Sequence, residues 1–366
     1  MSDSYTPATS GDGELIAYHL HRATSGTFVH LGVNYYVGTS GPNFATQSPY
    51  TMEECDSSSF DPVVAADGSH IAFTSGCTNL TGDAPDGHTH CFAYSVENDT
   101  HELISKSTAG VVANASAAFG RNISISSTGR FVVFVTAATN LVSPSTAGQS
   151  HVYVRDRDTD EDDVFDESGG VATYIVSRQT GTTYGDQDAS EPSISADGRF
   201  VAFRSSATNL TGPTLDTTPR IYVHDLDADN DGIFGEADAV STWVVNGGPH
   251  GSPNGDVRYP RISGNRRWVI FQSQATNLDA ADEYSDWDIY VAHVGCGPGG
   301  AYLPCDADCS GPTDNFDIDA FVLALTDPEQ YASEYPSCDP LCTCDLNQDG
   351  AVNNFDINPF VACIGE

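Results

Sequence analysis

The chain has 366 residues, enough for two or three domains, and sets 51 acidic residues against 14 Lys and Arg, a formal net charge of −37. That balance excludes nucleic acid and anionic membrane as partners, because both need a basic surface. Even four bound calcium ions would add +8 and leave −29, so most of the acidity is solvated surface. Only carboxylates clustered at ligand spacing argue for metal.

No apolar export segment follows Met1 and no run is long enough to span a membrane. The opening residues read as the interior of a domain, so the expectation is an incomplete N-terminus. From there an internal repeat governs the chain. EPSISADGRFVAFRSSATNLTG (191–212) matches segments beginning at Phe60, Arg121 and Tyr259, with a fainter copy at Thr6. The aligned positions Pro7, Pro62, Ile123, Pro192 and Pro260 are spaced by 55, 61, 69 and 68 residues. The Asn of the ATNL element, at Asn79, Asn140, Asn209 and Asn277, keeps step with spacings of 61, 69 and 68.

Each unit reads as β. A short strand, a DG turn and an alternating apolar run such as Phe200–Phe203 lead to a polar loop. A second β-rich run follows at 90–96, 151–157, 220–226 and 288–294, and a fourth strand at 173–178 and 242–247. Four strands per unit, repeated, predict an all-β propeller over 1–295, with five units visible and the last ending after its third strand. The S-x-DG-x-x-IAF pair followed by IYV-x-D resembles the TolB-type β-propeller repeat. Either the ring closes differently or the closing strand comes from upstream of this sequence, and the second is the expectation.

Acidic insertions follow two of the IYV-type strands. DADNDGIFGEAD offers Asp227, Asp229, Asp231, the Ile233 carbonyl and Asp238 around Gly232, in the order of a calcium loop. Its counterpart keeps Asp158, Asp160 and Asp162 but has Asp163 where the Gly should be, and a solvated hairpin is the competing reading. Cys77 and Cys91 bracket a polar loop and form a candidate local pair. His88 and His90 are read as surface residues, because no third ligand stands at recognisable spacing.

After a linker at 296–304, residues 305–366 hold six of the ten cysteines, which points to disulfides and an oxidising compartment over zinc. Six cysteines allow 15 pairings, and the sequence does not choose among them. Two loops at 39-residue spacing each fill positions 1, 3, 5, 7, 9 and 12 of an EF-hand-type site for Ca2+. The first uses Asp306, Asp308, Ser310, the Pro312 carbonyl, Asp314 and Asp317. The second uses Asp345, Asn347, Asp349, the Ala351 carbonyl, Asn353 and Asp356. Each runs into a predicted helix, 315–326 and 354–364, with Phe316, Ile318, Phe321 and Val322, and Phe355, Ile357, Phe360 and Val361, on an apolar face.

This duplicated loop–helix resembles type I dockerins, calcium-dependent docking modules, and its NNFDI-x-x-F-V wording is similar to the variant found in planctomycete secreted proteins. The resemblance implies a small α-helical calcium-binding domain and a protein partner, cohesin in the family. Loop positions 10 and 11, often Ser/Thr there, are Asn315–Phe316 and Asn354–Phe355 here. No nucleophile elbow, HExxH or Walker loop occurs. The expectation is an extracellular, non-catalytic propeller that binds a protein or glycan and docks through its tail. The alternative is a propeller glycosidase or lyase delivered to a polysaccharide. Converging carboxylates at the propeller's centre would favour the enzyme, and an aromatic rim without them would favour binding.

Overall fold

The computed structural model describes residues 3–22, 28–35, 57–83, 87–211, 216–229, 231–245, 253–278, 284–294, 305–310, 313–335, 338, 340–346 and 352–364. The chain divides into two compact units, Met1–His293 and Val294–Glu366.

The first unit is a succession of five antiparallel sheets, each a simple meander. They comprise β1 (Asp3–Thr9), β2 (Leu15–Arg22) and β3 (Phe28–Tyr35); β4 (Ser59–Val64), β5 (His70–Ser75), β6 (His90–Ser95) and β7 (Thr100–Leu103); and β8 (Ile123–Ile125), β9 (Phe131–Thr136), β10 (His151–Asp156) and β11 (Ala172–Ile175). Next come β12 (Ala189–Ile194), β13 (Phe200–Ser205), β14 (Arg220–Asp225) and β15 (Ser241–Val244), then β16 (Val257–Ile262), β17 (Trp268–Ser273) and β18 (Asp288–His293). The first strands of consecutive sheets lie side by side and form an inner wall, the blade arrangement of a propeller.

The repeat motifs explain how one blade meets the next. The alternating run buries both faces. Val201, Phe203 and Tyr222 of the fourth sheet pack with Val133, Val135, Val152 and Val154 of the third. The prolines sit at β-bulges of the first strands, where the register shifts between Phe60 and Val63, Ser190 and Ser193, and Arg258 and Arg261. A bulge spares Pro the ladder hydrogen bond it cannot donate. The preceding residues Asp61, Glu191 and Tyr259 take φ of 52°, 56° and 55°. The side chains there reach the following blade. The Asp61 carboxylate accepts from the Gly120 N–H at 2.7 Å, Asn122 Oδ1 from the Glu191 N–H at 2.8 Å, and Glu191 Oε2 from the Tyr259 N–H at 2.6 Å.

A second ladder joins the turns. The Gly11 N–H donates to the Ala66 carbonyl, Asp67 to Ser127, Ser127 to Ala196, and Ala196 to Gly264, at 2.7 to 3.2 Å. The ATNL asparagine clamps the segment entering its blade: Asn209 Oδ1 accepts from the Asp186 N–H and its Nδ2 donates to the Tyr184 carbonyl. Asn140 does the same with Asn114 and Val112.

Two differences from the sequence reading stand out. Cys91 lies inside β6, buried and reduced, while Cys77 is disulfide-bonded elsewhere, so the local 77–91 pair does not form. His90 is also buried in β6, its Nδ1 3.0 Å from Ser105 Oγ, and is no surface residue. The fifth sheet has three described strands, as the truncated fifth unit implied. Its face carries Ile270, Ile289 and Val291 exposed, where Ala202, Ile221 and Val223 of the fourth sheet are buried.

The second unit contains α1 (Asp317–Thr326), α2 (Pro328–Glu334), α3 (Pro340–Thr343) and α4 (Ile357–Ile364). The duplication brings Phe321 and Phe360 face to face, with centroids 3.9 Å apart and planes at 4°. Disulfides Cys305–Cys363 and Cys309–Cys338 close the unit, and Cys344 is free and buried. The linker 296–304 lies outside the described residues.

The DG glycine has two reasons to be glycine. Gly198 takes φ of +84°, and a Cβ there would lie 2.0 Å from the buried Phe131 ring of the preceding blade. Gly198→Ala should therefore cost about 3 kcal/mol, from the left-handed backbone and the overpacking together. A urea midpoint shifted by less than a third of that amount would contradict the account.

Candidate calcium loops and the inner rim

Three acidic loops are built on one plan. In each the first aspartate is buried and its carboxylate accepts backbone N–H groups from within the loop. Asp227 Oδ1 accepts from Asp231 at 3.0 Å and its Oδ2 from Gly232 at 3.3 Å, while Asp158 accepts from Asp162 and Asp163, both at 3.1 Å. Asp306 Oδ1 accepts from Ser310 at 3.0 Å. The effect is to fold the loop round a ring of outward oxygens. One carboxylate oxygen each from Asp158, Asp160 and Asp162 lies within 4.8 Å of the others, as do those of Asp227, Asp229 and Asp231, and of Asp306, Asp308 and Asp317. All donors are hard oxygens, which suits calcium over zinc or copper.

The Asp158 loop thus equals its counterpart although Gly is missing. Asp163 itself adopts the left-handed conformation, φ 66°, where Gly232 has 87°. Asp238 stands outside the carboxylate group of its loop. A residue the sequence reading passed over, Glu167, faces the Asp158 group instead. The charges of Asp162 and Asp160 hold its pKa above the usual range. A signal for it existed, since both insertions carry Glu at the tenth place, Glu167 and Glu236.

The propeller loops are anchored from below. Arg199 grips Asp225 through two hydrogen bonds, 2.7 and 2.9 Å, and Asp225 Oδ1 accepts the Asp227 N–H at 3.1 Å. Arg130, Asp156 and Asp158 repeat the relay. The loops also lean on the preceding blade: Phe234 packs against Phe131 with centroids 5.0 Å apart, and the Arg178 guanidinium donates to the Glu236 carbonyl at 2.9 Å.

In the second unit the last aspartate of each loop is fully buried and makes matching bonds. Asp317 accepts from the Asp308 and Asp314 N–H groups, and Asp356 from those of Leu346 and Asn353. Asp314 Oδ1 and Asn353 Oδ1 each accept the N–H two residues on, at 2.8 Å. Asp345 is buried beside the second loop, whereas Pro312, Asn347, Asp349 and Ala351 lie outside the described residues. The predicted apolar face divides. Phe321 and Phe360 are core, but Phe316 and Phe355 are 77% and 76% exposed, and Ile318, Val322, Ile357 and Val361 are exposed with them.

At the inner wall no group of three or more metal-ligating side chains appears among the described residues. The rim is aromatic and basic, with Phe60 and Phe119 edge to face at 4.9 Å and Arg121 and Arg258 over Tyr259 at 4.5 and 5.0 Å.

Comparison with known proteins gives no match to any family model and none to a curated protein. Among solved structures, a TolB described as putative from Agrobacterium tumefaciens aligns at TM-score 0.43 and 13% identity over 80% of both chains. TolB from Acinetobacter baumannii aligns at 0.41 and 12%, over 80% of this chain and 54% of that one. The β-propeller domain of a trilobed protease from Pyrococcus furiosus aligns at 0.36 and 13%, over 79% and 80%. At those scores the propeller assignment rests on the sheets and their contacts. No described helix is long and apolar enough to cross a membrane.

Burial raises the pKa of Asp227 and Asp317 above 3.8. At these two side chains the ion-free fold therefore holds a proton more tightly than the unfolded chain, and protons compete there with calcium. The rise in Tm on adding calcium should accordingly shrink as pH falls from neutral into the raised carboxylate range. A calcium-induced shift in Tm that stays constant through that range would contradict carboxylate ligation.

Proposed function

We propose that this chain is a secreted, calcium-binding, non-catalytic β-propeller whose C-terminal unit is a dockerin-like docking module. One observation carries the calcium reading: a buried first aspartate drawing two further carboxylates within 4.8 Å, three times in one chain. Calcium would be held by Asp306, Asp308 and Asp317 with Ser310, the Pro312 carbonyl and Asp314. The second loop would use Asp345, Asn347, Asp349, the Ala351 carbonyl, Asn353 and Asp356. The propeller loop would use Asp227, Asp229 and Asp231 with the Ile233 carbonyl. The geometry of Asp158, Asp160 and Asp162 supports a fourth site, with Glu167 as an added donor. In the propeller, such an ion would fix a loop that already bridges two blades.

Two features support docking and binding over catalysis. The module presents equivalent apolar sets, Phe316, Ile318 and Val322 on one repeat and Phe355, Ile357 and Val361 on the other. Residues 305–366 contain no Lys, Arg or His, so the matching partner is a protein with an apolar cleft edged by basic side chains. The inner rim offers aromatic rings and arginines, which suit binding. The disulfides fit an extracellular or periplasmic setting.

Equilibrium dialysis should find at least three calcium ions per chain, and EDTA should open residues 305–366 to protease while the propeller mostly survives. Saturating calcium at about a hundredfold excess over Kd would add about 2.7 kcal/mol of stability. Unchanged protease resistance of the tail in EDTA would overturn the reading. The double variant Phe316→Ser/Phe355→Ser should melt within about 0.5 kcal/mol of wild type, whereas Phe321→Ala should lose about 3 to 4 kcal/mol of the module's stability. Equal losses in thermal melts would place all three side chains in the core and remove the docking face.

A further inference from the structure

We propose that the inner rim of the propeller, at Arg121, Arg258 and Arg261, binds acidic polypeptide segments through their side-chain carboxylates. The inference deepens the reading of the propeller as a binding platform and rests on it.

The arginines are anomalous in this chain. With 51 acidic residues present, Arg130, Arg157, Arg199, Arg204, Arg220 and Arg266 each hold a carboxylate at 2.6 to 3.2 Å. Arg155 and Arg178 are buried and donate to carbonyl oxygens of other segments. Arg121, Arg258 and Arg261 do neither, and they converge. Arg121 comes from the third blade and lies 4.5 Å over the Tyr259 ring of the fifth. Arg258 lies 5.0 Å from the same ring and 3.4 Å over Trp287, with Nε donating to Gln272. Arg261 reaches only the Pro260 carbonyl, at 2.9 Å. Its side chain is solvent-accessible yet walled by protein. Burial and then the charge of Arg121 lower its pKa, and Glu191 acts the other way.

Glu191 and Asp61 are acidic groups the structure places beside them, and each already accepts a backbone N–H, from Tyr259 and from Gly120 next to Arg121. Three guanidinium groups against two carboxylates, Glu191 and Asp61, leave an excess of positive charge at the inner wall, and like charges held together invite an anion. The aromatic rings also narrow the ligand class. The Tyr259 and Trp287 rings carry guanidinium groups and are not free platforms for a sugar. What the rim presents is N–H edges, suited to carboxylates on a flexible chain, with Phe60 and the half-exposed Phe119 beside them for its methylenes. At physiological salt the Debye length is about 8 Å, so the distant acidic surface is screened while the rim still acts on a ligand in contact.

The test uses fluorescein-labelled hexaglutamate, with anisotropy and calorimetry on the full chain at about 0.15 M salt. It is run both in EDTA and in calcium, because an acidic peptide could also bridge to the acidic loops through the ion. The expected result is saturable binding in both conditions, weakened about tenfold by Arg121→Gln and further by Arg121→Gln/Arg261→Gln. Arg266→Gln, whose partner is Asp197 at the turns of the fourth and fifth blades, should leave binding unchanged and controls for net charge. Circular dichroism and melting of each variant exclude misfolding. Binding that requires calcium and ignores the arginine substitutions would overturn the proposal. So would an oligogalacturonate binding where hexaglutamate does not. If neither anion binds while dialysis still finds calcium and the tail still opens in EDTA, this inference fails and the general binding reading stands.

Discussion

The propeller depends on hydrogen bonds that pass from one blade to the next along the inner wall. A β-bulge in the first strands of the second, fourth and fifth sheets would leave a backbone N–H facing away from its own sheet, and a buried donor without a partner is costly. The preceding blade answers with a side chain on or just before its own first strand. Asp61, Asn122 and Glu191 have in common an oxygen on a short stem, and each meets the next N–H at 2.6 to 2.8 Å. The series ends at Tyr259, whose ring instead meets two guanidinium groups. Where the structural ladder stops, the chemistry of the rim changes from satisfied amides to uncovered cations.

The same economy links turns to acidic loops. One arginine after the DG turn fixes one aspartate at the end of the third strand, and that aspartate fixes the first residue of the acidic loop. The loop then leans back on the preceding blade through Phe234 and Glu236. An ion held there would stiffen an interface between blades rather than a free hairpin. The C-terminal unit solves a different problem. Its core is small, so stacked Phe321 and Phe360, two disulfides and buried Asp317 and Asp356 share the work of ordering it.

Much of this was legible in the residues. The repeat spacing placed the strands, because alternating apolar runs between DG turns have few other solutions, and the third strands fall within a residue or two of their predicted positions. The acidic loops were legible because ligand spacing is local. Exposure was not. Phe316 and Phe321 look alike on a helical face, and only the meeting of the two repeats buries one and leaves the other in solvent. The Asp158 loop gathers its carboxylates without the Gly, because a short polar side chain tolerates the left-handed turn.

What the sequence determined by itself is everything set by near neighbours: the β meander, its period and the loops with carboxylates at calcium spacing. What only the tertiary structure decided is which distant residues meet. Cys91 is buried in its strand instead of bonded to Cys77, Cys305 pairs with Cys363 across 58 residues, and Arg121 lies on Tyr259. Those outcomes depend on how blades and repeats pack, and packing brings together side chains that no spacing along the chain relates.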